Sequence, residues 1–325
     1  METRDLGKTG LKVSPIGFGA WAIGGSWGPQ DDTVSMAALH RYADLGGNFI
    51  DTALAYGDGH SERLIGRFLR ERPDRDRFII ASKVPPLTGP DGLSTPMADC
   101  FPESHLRSCV DRSLSHLGRD AIDVIQLHTW AGNWNAETEW LDVIGRLKAE
   151  GKIRFHGVSV VSYREDEFIE PARSGSVDTI QTRFNLLDQA SRSGLLDAAQ
   201  SSGTGVIVRT PLGPGTLTGK MTRDLRLAEG DWRAGWLKGE KLDRLMEHLE
   251  RLEFLTRTRS WPDAALQFVL AHPEVSSAIP GIRSPKQAEQ NLAALSAEPL
   301  TAEDLEAVHT LYDTKFGGDE TELWR

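Results

Sequence analysis

Cysteine is almost absent: Cys100 and Cys109 are the only two in 325 residues. Two thiols cannot build a disulfide scaffold, and they read as ordinary reduced cysteines. Metal chemistry has no anchor either, since no HExxH or CxxC spacing occurs among nine histidines and two cysteines. A surplus of positive charge is also missing. A net charge of −10 argues against nucleic acid or an anionic membrane as partner, so any anionic ligand must be held by local cations. The uncharged stretch from Val13 to Gln30 is long enough to span a membrane. It contains Pro15, Gly17, Gly19, Gly24, Gly25, Gly28 and Pro29, which make it strand and loop instead. The opening METRDLGKTG is charged and lacks the apolar core of a signal peptide. A soluble, cytoplasmic protein is the expectation.

What the chain does have is alternation. Short apolar β-type runs occur at Ile16–Phe18, Asn48–Thr52, Phe78–Lys83, Val124–His128, His156–Val160, Thr179–Phe184, Val206–Thr210 and Ser276–Ile279. Between them lie segments of helical period. Ala38, Tyr42 and Leu45 form one apolar face and stop at Gly46; Leu106, Val110, Leu114 and Leu117 stop at Gly118; Trp140, Ile144 and Leu147 precede Gly151. Continuous apolar strands separated by amphipathic helices indicate a parallel sheet buried on both faces. Eight such units point to a closed (β/α)8 barrel, an α/β fold, with residues 1–325 as one domain. Residues Thr3 to Lys12 are expected to form a β-hairpin capping the floor. The stretch from Leu217 to Leu255 is expected to add a rim loop and helix carrying Trp232, Arg233 and Trp236.

Four ionisable residues stand out. Asp51 closes NFID, Lys83 closes FIIASK, His128 closes VIQLH, and Tyr56 follows Asp51 by one short loop. Parallel strands deliver their C-terminal side chains to one rim of a barrel, where the chemistry of that fold sits. Reducing a carbonyl by hydride creates an alkoxide that needs a proton. A tyrosine can supply it, but its ordinary pKa near ~10 is high. A neighbouring lysine cation is expected to lower it. Asp51 would balance a buried lysine, and a neutral His128 would hydrogen-bond the carbonyl oxygen.

These residues and their surroundings resemble the catalytic tetrad of the aldo-keto reductases. The likeness runs from LGKTGLKVSPIGFGAW through FIDTALAYGDGHSE, ASKV and DVIQLH. It continues in LKAEGKIRFHGVSV, QTRFNLLD, RTPLGPGTLTGK and IPGIRSPKQAEQN. It implies a nicotinamide-dependent oxidoreductase acting on a small carbonyl or alcohol, with Tyr56 as proton donor and Asp51, Lys83 and His128 around it. It also implies that Ser159 and Gln181 meet the nicotinamide carboxamide. Gly19, Ala20, Trp21, Pro211, Leu212, Lys220 and Gly281 would line the cofactor, and Gln287, Gln290 and Asn291 its adenosine end. Three positions depart from the pattern. Val160 stands where many relatives have asparagine, and Gln290 where they often have glutamate. Arg209 replaces an aromatic residue, though its planar guanidinium can still stack on a ring.

The phosphate sites rest on local chemistry. Gly213 and Gly215 in PLGPGTLTGK let backbone amides approach a pyrophosphate. Arg283, Ser284 and Lys286 surround an expected helix start after the eighth strand, and two cations there suit the 2′-phosphate of NADP(H) better than the bare ribose of NAD(H). A Rossmann reading of GFGAWA fails because Gly24, Gly25, Gly28 and Pro29 follow where a helix must open. Trp21, Trp130 and Trp134 are candidates for an aromatic substrate pocket, with core packing as the alternative reading of each. Two other functions remain open: an NADP-binding regulatory module resembling the potassium-channel β subunits, and a barrel lyase using Lys83 as a Schiff base.

Overall fold

The computed structural model describes residues 1–25, 30–88, 95–227 and 231–316; Gly28 and Pro29 lie outside them. Two short strands, β1 (Arg4–Asp5) and β2 (Lys12–Val13), pair antiparallel as a hairpin. Eight parallel strands then pair in chain order: β3 (Phe18–Gly19), β4 (Phe49–Asp51), β5 (Ile79–Val84), β6 (Ile122–Leu127), β7 (Ile153–Ser159), β8 (Thr179–Arg183), β9 (Gly205–Arg209) and β10 (Val275–Ile279). Parallel bridges Ile16–Ala278 and Gly19–Gly281 join the first of these to the last and close the barrel. The seam depends on Gly19: a Cβ there would stand 2.6 Å from the Ile279 carbonyl oxygen.

Helices α1 (Asp32–Asp44) and α2 (His60–Glu71) follow β3 and β4, and α3 (Met97–Cys100) and α4 (Glu103–Leu117) follow β5. After β6, β7 and β8 come α5 (Glu139–Ala149), α6 (Ile169–Ser174) and α7 (Leu195–Ser202). The pair α8 (Glu240–Leu252) and α9 (Trp261–Leu270) follows β9, and α10 (Pro285–Ala293) and α11 (Ala302–Leu311) follow β10. The barrel and its N-terminal hairpin are those expected from the sequence. Several strands end one residue earlier than expected, at Ser159 and Arg183 for example, because the last residue leaves the ladder to enter its rim loop.

The strand composition explains the layers. Every residue of β5 and β6 is buried, so these strands cannot alternate polar and apolar positions and read as continuous runs. Inside the floor, Leu6, Leu11 and Val13 from the hairpin segment pack on Phe49, Ala81, Val124 and Ile207. Fully burying one such aliphatic side chain stabilises the fold by roughly 1.5–3 kcal/mol, and the plug keeps water out from below. The larger apolar cluster lies between strands and helices. In α4, Leu106, Cys109, Val110 and Leu117 face it, and Gly118 ends the helix by donating its backbone N–H to Leu114. With floor and flanks sealed by apolar groups, polar side chains inside the barrel concentrate at the C-terminal end.

Candidate active site

At that end the strand register sets the contacts. Asp51 pairs with Ala81, Lys83 with Gln126 and Ser159 with Gln181, so these residues all lie within the last few positions of their strands, on the C-terminal rim. Lys83 is fully buried and Asp51 nearly so. The ammonium Nζ donates to Asp51 Oδ1 at 2.5 Å, to the Thr52 carbonyl at 2.8 Å and to the Tyr56 hydroxyl at 3.4 Å. Burial opposes the charge on Lys83, but Asp51 and Tyr56 outweigh it and lift its pKa above the ordinary lysine value. All three of its donors are spoken for, and the amine stays charged. That removes the nucleophile a Schiff-base lyase would need.

Tyr56 departs from expectation. Burial raises its hydroxyl above the usual phenol value, and Lys83 pulls the other way without cancelling it. The phenol is therefore firmly protonated in this state rather than eased toward phenolate. His128 sits edge-on to Tyr56, with ring centroids 5.7 Å apart. Burial, aided by the nearby Lys83 and Arg209 charges, pushes the imidazole down to about 3, so it is neutral at physiological pH.

Two glutamines complete the network. Asp51 Oδ2 accepts from Gln181 Nε2 at 2.7 Å and from Gln126 Nε2 at 3.3 Å. Gln126, fully buried, was not anticipated as part of the site. The signal was there: a polar residue inside VIQLH, two positions before His128 and so on the same strand face.

Above the network opens a cleft of about 1590 Å³. Asp51, Tyr56 and His128 lie at its base, and every residue named from the sequence for the cofactor lines it, from Gly19 to Asn291. Ser159 and Gln181 come from β7 and β8, Gly213, Gly215 and Lys220 from the loop after β9, and Arg283, Lys286 and Asn291 from the segment after β10. Arg209 lines it too, with Nη2 donating to the Val160 carbonyl at 3.0 Å and to Ser162 Oγ at 2.9 Å. Behind Arg209 is a buried polar group the sequence did not suggest. Arg183 pairs with Asp188 at 2.7 Å, and burial, reinforced by Asp188, pushes the Glu165 carboxyl up to about 7.

The segment after β9 reaches the rim as expected. Leu225, Asp231 and Arg233 line the cleft, and Arg233 is held by Asp231 at 2.6 Å and by the Pro214 carbonyl at 3.2 Å. Trp21 also lines the cleft, 38% exposed. Trp130 and Trp134 are a correction: both are buried, and neither lines the cleft. They pack edge to face with each other, with Phe101 and with Phe168, and their indole N–H groups bond Asn135 and the Thr95 carbonyl. A large apolar ring with one polar atom is as well satisfied inside a loop as in a pocket.

The description "Aldo/keto reductase family" fits residues 15–313, nearly the whole barrel. The chain belongs to that family. Aldo-keto reductase YhdN of Bacillus subtilis is 32% identical to it over 96% of this chain and 94% of the relative. An NADH-specific methylglyoxal reductase of Escherichia coli is 32% identical over 91% of this chain and 94% of that protein. Among solved structures, the glycerol dehydrogenase AKR11B4 of Gluconobacter oxydans superposes with a TM-score of 0.78 at 29% identity, covering 97% and 96% of the two chains. This aldo-keto reductase is thus an oxidoreductase dependent on a nicotinamide cofactor. Among its described residues no helix is long and apolar enough to cross a membrane.

Proposed function

We propose that the enzyme reduces an aldehyde, ketone or sugar carbonyl to the alcohol, reversibly, with NADPH as the reductant. The observation that carries this reading is the buried chain from Asp51 through Lys83 to Tyr56, which ends in a protonated phenol at the base of the cleft.

The cleft residues fit the cofactor. Gly213 adopts φ 59°, and a Cβ there would stand 2.2 Å from Thr216 Oγ1, so only glycine leaves that backbone open to a ligand. Asn291 is buried, lines the cleft, and its Nδ2 has no hydrogen-bond partner among the described residues. Such an atom suits an adenine or ribose acceptor. When bound, the cofactor supplies the hydride. The chain's own residues do the rest. Ser159 and Gln181 orient the carboxamide; the Gln181 Nε2 is committed to Asp51, which leaves Oε1 as the acceptor. His128, neutral, donates to the substrate carbonyl, and Tyr56 transfers its proton to the oxygen as charge develops there. Lys83 holds that hydroxyl and stabilises the phenolate left behind, with Asp51 balancing its charge.

The preference for NADPH rests on Arg283 and Lys286 at the N-terminus of α10, where Ser284 caps the helix by accepting from Gln287 N. A relative bears the name NADH-specific, so both cofactors belong in the assay. The buried thiols of Cys100 and Cys109 fit a reducing, cytoplasmic setting. Following NADPH and NADH absorbance against a panel of aldehydes, ketones and sugars tests the reading. Turnover with at least one carbonyl supports it; cofactor binding without turnover on any would point instead to a regulatory NADP-binding module.

A further inference from the structure

Two helices bring their N-termini side by side at the adenosine end of the cleft. Asp31 caps α1, Ser284 caps α10, and the helices are tied further along by Arg41 Nε to Glu289 Oε1 at 2.7 Å. Immediately before the two caps stand Gln30 and Arg283, and they grip each other. Gln30 Oε1 accepts from Arg283 Nε at 2.9 Å, while Gln30 Nε2 donates to the Arg283 backbone carbonyl at 3.0 Å. The same Nε2 also donates to Ser35 Oγ at 3.0 Å, and Ser35, fully buried, donates to the Asp31 carbonyl at 3.0 Å. Arg283 is held a third time, where its backbone N–H donates to Gln287 Oε1 at 2.7 Å.

A carboxamide has one acceptor oxygen and two amide hydrogens, and here both hydrogens and the oxygen are engaged. The anchor is therefore rigid: it passes from a buried serine in the first turn of α1, through Gln30, to both the backbone and the guanidinium of Arg283. Fixing Nε fixes the plane of the guanidinium, because the whole fork is planar. An arginine that is not held this way must lose its rotamer freedom when it meets an anion, and that loss weakens binding. Gln30 lies outside the strand ends and glycine loops that carry the rest of the site, and it has no charge to mark it.

We propose that Gln30 is a positioning residue for recognition of a 2′-phosphorylated adenine nucleotide: it presents Arg283 to the phosphate and so sets discrimination between 2′-phosphorylated and unphosphorylated ligands. The inference rests on Arg283 meeting the 2′-phosphate, as proposed above.

The test uses the full-length protein and two probes without nicotinamide, adenosine 2′,5′-bisphosphate and AMP, titrated by calorimetry. Gln30→Ala is expected to weaken the bisphosphate by about 2- to 10-fold, the cost of ordering one rotamer-rich side chain on binding. AMP should change by less than about twofold, the spread expected for sites that do not interact. Gln30→Glu places a carboxylate on Arg283 that competes with the phosphate, so the bisphosphate should weaken further than in Gln30→Ala while AMP again holds. In an Arg283→Ala background, Gln30→Ala should have no additional effect. Equal losses for both probes would reduce Gln30 to a structural role and overturn the proposal. So would an unchanged bisphosphate affinity in Gln30→Ala while Arg283→Ala loses it, which would leave the phosphate site standing without Gln30. If Arg283→Ala itself fails to separate the two probes, the 2′-phosphate reading of this end falls, and the role of Gln30 falls with it.

Discussion

Gln181 and Asp51, 130 positions apart in the chain, meet amide to carboxylate at 2.7 Å inside the barrel. The bond joins a residue lining the cleft to the counter-ion of the buried Lys83. Gln181→Leu removes a donor from a nearly buried carboxylate and leaves Gln126 at 3.3 Å as its remaining amide. Stability should fall by about 1–3 kcal/mol, the cost of under-satisfying a buried charged group. Urea unfolding at constant m-value reads this directly. An unchanged midpoint would mean that the bond contributes nothing to the fold.

Tyr56→Phe should lower turnover by about 10² to 10⁴-fold, the usual range for losing a general acid. Affinity for NADPH should hold, because in the proposed geometry the hydroxyl faces the carbonyl and not a phosphate. Steady-state rates alongside fluorescence titration of the cofactor separate the two quantities. Turnover surviving within about threefold, well outside that range, would assign proton donation to another group.

The Lys83–Asp51 pair should show strong coupling. Lys83→Met leaves Asp51 buried without its cation, and Asp51→Asn leaves the reverse, so each should cost about 3–5 kcal/mol of stability. The double variant buries neither charge and should cost less than the sum of the two. Additive losses in a denaturant-based double-mutant cycle would contradict a direct buried ion pair.

His128 makes a prediction in pH. Its folded pKa, about 3, lies below the ordinary value of 6.5. As pH falls below 6.5 the unfolded chain takes up a proton that the folded one refuses, so stability declines from there toward pH 3. His128→Gln removes this titration. Between neutral pH and about pH 5 the wild type should lose about 1–2 kcal/mol more than the variant, given ~1.4 kcal/mol per pH unit for one proton. Parallel slopes for the two proteins would show that His128 titrates normally.

Three of the four tetrad residues were legible because an ionisable side chain at the end of an apolar strand is a conspicuous break in pattern. Tyr56 was reached by its short distance from Asp51. Other features were not legible for reasons that are physical. Gln126 sits in an apolar run where a single uncharged polar residue has many uses, and only the cross-strand register with Lys83 brings it to Asp51. Trp130 and Trp134 lie in a rim loop, and sequence cannot tell which side of a loop an indole takes. The direction of the Tyr56 shift is a balance of burial against the Lys83 charge, and burial is a property of the folded cleft alone. The Gln30–Arg283 contact spans 253 positions and depends on how α1 docks on α10.

Closure of the barrel at the Gly19 seam joins one of the earliest parts of the chain to one of the latest. The strand that opens the barrel is made first by the ribosome and the strand that closes it nearly last, and Ser277 Oγ reaches back to the Ser14 carbonyl across 263 positions. A nascent chain emerging at a few residues per second holds β3 with an unpaired edge until β10 has cleared the exit tunnel. Gly281, Arg283, Lys286 and Asn291, which also line the cleft, emerge later still. Ligand binding at these residues therefore cannot rescue the partly synthesised barrel, and a chain cut short before residue 275 lacks both the last stave and the cleft residues that follow it.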